Sequence, residues 1–124
     1  MKIRPTIALV LASLVALMVL TSCWRPATPA TKITMARSGI QMFRVGLDLY
    51  RLNCGVYPTN AQGLNALIVN PGTPGWHGPY IVNVAGRGVP LDPWGTPYRY
   101  RTTGTNIVVN SAGPDRTFGT ADDI

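Results

Sequence analysis

The stretch MARSGIQMFRVGLDLYRLNCG, residues 35–55, carries two apolar stripes at helical spacing rather than one. Ile40, Phe43, Leu47, Tyr50 and Cys54 recur at steps of three and four, and so do Met42, Val45, Leu49 and Leu52. Such steps place side chains on one face of a helix. Arg37, Gln41, Arg44, Asp48 and Arg51 repeat in the same way on a third, polar face. A helix resting on its own domain needs a single apolar stripe. The second stripe predicts either a further packing partner, such as another subunit, or a helix sunk deep in a small core. Gly39 and Gly46 lie between the stripes, one heptad apart, and Gly55 suits a left-handed cap that ends the helix.

Upstream of the helix, WRPATPATK (residues 24–32) has no apolar period and contains two prolines, so residues 23–34 are expected to be a tether. Residues 1–22 form a leader: Lys2 and Arg4 are followed by an uncharged apolar run over residues 7–20. The run has the length of a signal h-region and is short of the roughly 20 residues that a membrane span needs. It ends in LTSC (residues 20–23), which resembles the lipobox of bacterial lipoproteins. Cleavage before Cys23 would leave a thiol for diacylglycerol attachment. The alternative is an uncleaved anchor helix ending near Cys23, which leaves a Cys23–Cys54 bridge open. With Cys23 acylated, Cys54 is a lone small hydrophobe. Either leader exports the rest of the chain.

Downstream, Pro58 disfavours helix at Tyr57. Thr59 or Asn60 can cap a short second helix over AQGLNALIV (residues 61–69), which fades at Asn70-Pro71-Gly72. Residues 72–97 are rich in Gly and Pro, and Trp76, Tyr80 and Trp94 mark them as an ordered loop pinned by buried aromatics. PYRYR (residues 97–101) alternates, with Tyr98 and Tyr100 on one face and Arg99 and Arg101 on the other. TTGT turns the chain and NIVVN (residues 106–110) returns it as a hairpin. A third short strand is expected around residues 80–84. Residues 35–124 therefore form one α+β domain with a long N-terminal helix, a short second helix and a small antiparallel sheet.

The 124 residues suffice for one domain, and their formal charge is +6. Setting the leader aside leaves nine basic residues against five acidic ones. The nine are scattered, with no run to track a phosphate backbone, which argues against nucleic acid as a partner. Mild attraction to anionic lipid headgroups is the better use of that charge. Enzymatic chemistry has little material: one histidine, His77, no Glu, and no paired acids before the tail. Cys54 at a helix end and His77 in a loop lack an orienting acid, so both are expected to be structural.

The tail SAGPDRTFGTADDI (residues 111–124) holds three of the five acids, Asp115, Asp122 and Asp123. Carboxylates seven and eight residues apart in a glycine-containing loop can converge on a hard cation. Calcium takes six to eight oxygens, so carbonyls and the hydroxyls of Ser111, Thr117 and Thr120 would have to add to the carboxylates. The spacing is not that of an EF-hand. The competing reading is an ordinary solvated acidic end.

Four segments in order, LDLYRLNCGVYPTNAQGLNAL (47–67), WHGPYI (76–81), LDPWGTPYRYR (91–101) and SAGPDRTFGTADDI (111–124), resemble the major pseudopilin family of the type II secretion system, GspG. The similarity covers residues 36–124. It implies a type IV pilin-like fold and a non-enzymatic structural subunit of a periplasmic pseudopilus that helps push folded proteins out of the cell. It also implies a calcium ion in the C-terminal loop, with Asp115, Asp122 and Asp123 as metal ligands beside backbone carbonyls. The expected partners are other pseudopilins or secretion-apparatus proteins, and the membrane through an N-terminal lipid or apolar segment.

The leader departs from that family. A prepilin carries Gly and then Phe at its processing site, and Glu at the fifth mature position, whereas this chain has no Glu and reads LTSC there. The expected location is the bacterial cell envelope, membrane-anchored, with the domain in the periplasm or on the outer surface. Two functions compete: an accessory subunit of the secretion apparatus, or a lipid-anchored, calcium-stabilised lipoprotein that binds another ligand outside that machinery.

Overall fold

The computed structural model describes residues 26–82 and 86–124. The leader and Cys23 lie outside the described residues. Helix α1 runs from Pro29 to Cys54, 26 residues and about 39 Å at 1.5 Å per residue. It starts inside the segment expected to be a tether. Thr28 is extended and its hydroxyl accepts the Thr31 N–H at 3.2 Å, which satisfies one of the free donors of the first turn. Pro29 follows in the first turn, where a missing N–H costs nothing. Proline here opens the helix rather than breaking it. At the far end Gly55 takes φ 79° and its N–H reaches the Arg51 carbonyl at 2.7 Å.

The inner stripe makes the core. Phe43, Leu47 and Tyr50 are completely buried and pack with Leu64, Ala66, Leu67, Ile81 and Val109. Three of the four outer-stripe residues stay outside, Val45 at 50% exposed, Leu49 at 44% and Leu52 at 78%, whereas Met42 is half-buried against the core. The helix is therefore not sunk in the core on both sides. Gly39 and Gly46 let two elements approach it closely. A Cβ at Gly39 would overlap the Tyr98 hydroxyl, and one at Gly46 would come within 2.9 Å of Ile81 Cγ2.

The second helix is shorter than expected, a 3-10 helix over Gly63–Leu67. Thr59 and Gln62 form a reciprocal capping box, with the Gln62 N–H on Thr59 Oγ1 at 3.2 Å and the Thr59 N–H on Gln62 Oε1 at 2.9 Å. Gly63 then sits at φ 59°, a left-handed step that no α-helix accommodates, so only a tight turn follows. It buries Leu64, Ala66 and Leu67. Asn60 does not cap. Its amide pairs twice with the backbone of Thr102, donating at 3.1 Å and accepting at 2.8 Å.

Strands β1 (Arg99–Thr102) and β2 (Ile107–Asn110) pair antiparallel, with Arg99 opposite Asn110 and Thr102 opposite Ile107. Tyr98 meets Phe43 edge to face at 5.0 Å, and the Tyr100 hydroxyl donates to the Pro58 carbonyl at 2.8 Å. Both tyrosines thus lie on the face that packs against the core, sharing one side as the alternation predicts. The loop before the hairpin is pinned by half-buried aromatics, with Trp76 Nε1 donating to the Ala66 carbonyl at 2.8 Å. Residues 80–82 form no strand, and 83–84 lie outside the described residues.

Candidate metal centre in the C-terminal loop

After β2 the chain stays inside for three residues and then leaves: Ser111, Ala112 and Gly113 are buried, whereas residues 114–117 are exposed. Ser111 pairs with Ile124 through two backbone hydrogen bonds of 2.8 and 2.9 Å, closing residues 112–123 into a loop. Gly113 sits at φ 71°, and a Cβ there would overlap the Asp122 carbonyl, so the two limbs touch backbone to backbone. Phe118, half-buried, lies under the Arg99 guanidinium at 3.7 Å, which fastens the loop to the outer face of β1.

Two of the three acids use a carboxylate oxygen on a nearby backbone N–H. Asp115 Oδ1 accepts the Thr117 N–H at 2.9 Å, an Asx turn that holds its carboxyl below the ordinary range. Asp123 Oδ2 accepts the Gly119 N–H at 2.9 Å across the loop. Its other oxygen, Oδ1, is buried and has no hydrogen-bond partner. Asp122 is exposed, and its N–H faces Thr120 Oγ1 at 3.4 Å. Among the described residues no three acidic, His or Cys side chains stand close enough to hold one metal ion. The loop therefore brings Asp122 and Asp123 back to the strand end without gathering all three carboxylates at one point.

The fit to a hard cation rests on oxygen chemistry. A buried carboxylate oxygen without a donor is costly unless something positive meets it. The surrounding groups, carboxylates, hydroxyls and carbonyls, are the ligand types that calcium takes. The donor set of the loop is compatible with calcium and unsuited to a soft metal.

Two polar residues sit buried at the base of the loop, Asp92, which carries no sequence signal for a site, and Ser111, whose hydroxyl the sequence offers to the ion but which is engaged with Asp92 instead. Asp92 is 4% exposed and Ser111 fully buried, and the Ser111 hydroxyl donates to Asp92 Oδ2 at 2.6 Å. Asp92 ahead of Pro93, with Gly95 behind it, does announce an Asx turn, and Oδ1 accepts the N–H groups of Trp94 and Thr96. The link to Ser111 spans 19 residues and has no local trace. Elsewhere, His77 is exposed, with Nδ1 2.6 Å from the Gly75 carbonyl, and Cys54 is a half-buried thiol against the core.

A long capped helix laid across a two-stranded antiparallel sheet, with a closed polar loop at its C-terminal side, is the pilin-like α+β class. The crystal structure of the major pseudopilin from the type 2 secretion system of enterohaemorrhagic Escherichia coli superimposes with a TM-score of 0.62 at 34% identity, covering 77% of this chain and 85% of that one. The family model for type II secretion system protein G matches residues 26–124, and the chain belongs to that family. The core protein G of Dickeya chrysanthemi is 43% identical over 70 residues, 55% of this chain and 46% of that protein. The core protein G of Pseudomonas aeruginosa is 35% identical over 102 residues, 80% of this chain and 68% of the relative. The chain spans about half the length of most curated relatives it matches, between 45% and 49% for four of them.

Proposed function

We propose that the chain is a non-enzymatic structural or accessory subunit of a type II secretion apparatus, held at the cell envelope and packed against other secretion subunits through α1. The observation that supports this most is the exposed stripe of Val45, Leu49 and Leu52 on a helix whose opposite face already fills the domain core. Isolated exposed apolar residues need no explanation, whereas a line of them on one helix face marks an interaction surface. Family membership supplies the class of partner. No described helix is long and apolar enough to cross a membrane. Attachment is assigned to the leader, through acylation of Cys23 behind LTSC, and the domain to the periplasm or the outer surface.

A calcium ion belongs to the same proposal. Asp115, Asp122 and Asp123, with backbone carbonyls of the loop, are the residues that would hold it. The ion would supply the positive charge that meets the unpartnered Asp123 Oδ1 and would draw together three carboxylates that do not otherwise converge. The chain's own part is to close the loop through Ser111 and Ile124 and to hold Phe118 against Arg99.

Photo-crosslinking from position 52 in cells tests the assembly role. Products with pseudopilins, together with a secretion defect on deletion, are expected. Absence of both the crosslinks and the secretion defect would leave a lipoprotein outside the machinery. Intact mass spectrometry of the membrane-extracted protein tests the leader, since a mass beginning at an acylated Cys23 separates a lipoprotein from an anchor helix.

A further inference from the structure

Asp92 and Ser111 are the two buried polar side chains among the described residues. Burial of a carboxylate is expensive unless hydrogen bonds replace its water. Asp92 receives three: the Trp94 and Thr96 N–H groups on Oδ1 at 3.0 and 2.8 Å, and the Ser111 hydroxyl on Oδ2 at 2.6 Å. The last is short, as charge-assisted O–H···O bonds are. Having donated its proton, Ser111 Oγ accepts the Gly113 N–H at 3.1 Å. The backbone of Ser111 holds Ile124 on both sides, and Gly113 lies directly against the Asp122 carbonyl.

One buried carboxylate therefore fixes the side chain of Ser111, whose hydroxyl holds the Gly113 limb of the loop and whose backbone holds the Ile124 limb. We infer that Asp92 and Ser111 are positioning residues for the calcium loop, orienting the Gly113 and Asp122 limbs so that the loop oxygens are preorganised for the ion. This rests on the calcium reading above. Neither residue is a ligand in this assignment. They act as outer partners of a metal site do, and loss of such partners typically weakens metal affinity 10–100-fold. Only Asp suits the position. Three donors converge on its two oxygens, and Asn has one acceptor oxygen, so its NH2 group would face either the two N–H groups or the serine hydroxyl.

The test is calcium chloride titration of the detergent-solubilised full chain by calorimetry, below the melting temperature that each variant shows in EDTA. Wild type, Ser111→Ala, Asp92→Asn and the double variant are compared. Each single variant is expected to weaken calcium binding about tenfold or more, and the double variant to be no weaker than Asp92→Asn alone. Ser111→Ala leaves both turn bonds of Asp92 in place, so it decides the matter if Asp92→Asn does not fold. A Ser111→Ala protein with a lower melting temperature in EDTA but calcium affinity within twofold of wild type would overturn the assignment. Wild type without any calcium response would overturn the calcium reading, and the positioning role with it.

Discussion

Helix α1 and the C-terminal loop are held to the same hairpin by opposite means. The helix brings Phe43, Leu47 and Tyr50 into full burial and makes few polar ties on that face. The loop brings no fully buried large side chain after Ala112, and is held by paired backbone groups, an Asx turn and one arginine over one ring. Apolar burial is indifferent to ions and pH, whereas a loop of carboxylates and carbonyls responds to both. One region should set the baseline stability, and the other should make that stability conditional.

The sharpest way to break this contrast is Phe43→Ala. Emptying that site should cost about 3–5 kcal/mol in denaturant unfolding, equally with calcium chloride and with EDTA. A cost that changed with calcium would mean that emptying the core alters calcium affinity, so that core and loop are energetically coupled. Next, Asp122→Ala combined with Asp123→Ala should abolish the calcium dependence of the melting temperature. In wild type that dependence is worth about 2.7 kcal/mol when the ion stands a hundredfold above its Kd. Unchanged melting curves would return the tail to a solvated acidic end.

A smaller effect belongs to Asp115. Its carboxyl is held below the ordinary range by the Thr117 N–H, so its contribution to stability is present above the unfolded-state pKa and is lost as pH falls through the lower folded value. Asp115→Asn in EDTA should be slightly less stable than wild type at neutral pH, with the difference closing in strong acid. The smallest effect on folding is expected of Leu52→Ser, within about 0.5 kcal/mol by thermal melting, because the side chain is 78% exposed. The same substitution should weaken partner crosslinks formed in cells from position 45 of the same stripe, which is where that stripe acts.

What could be read in advance divides along the same line. The stripes of α1, the Gly55 cap and the alternation of Tyr98 and Tyr100 are periodic and local, and the structure follows them. Proline signals an end far more often than a first turn, so composition places the start of α1 too late, and only Thr28 at the cap distinguishes the two. The second helix was overlong because one left-handed glycine, Gly63, outweighs several good helix formers. In the loop, the acids were visible as composition, but their geometry was not. Asp115 and Asp123 spend a carboxylate oxygen each on a backbone N–H, a choice set by the path of the chain. The sequence offers the Ser111 hydroxyl as a possible ion ligand, but in the structure it donates to Asp92 and accepts from Gly113, and the 19-residue separation of Asp92 and Ser111 leaves no pattern in sequence.

The two close approaches to α1, at Gly39 and Gly46, have a mechanical consequence. A helix with side chains all along its inner face can pivot about its axis while rotamers adjust. Here two points a heptad apart are filled by Tyr98 and Ile81 to within the space of a methyl group. Turning the helix by one residue would drive a neighbouring side chain into each. The azimuth of the outer stripe is thus keyed to the start of the hairpin at Tyr98 and to the loop at Ile81, so that turning the helix would have to turn the domain with it.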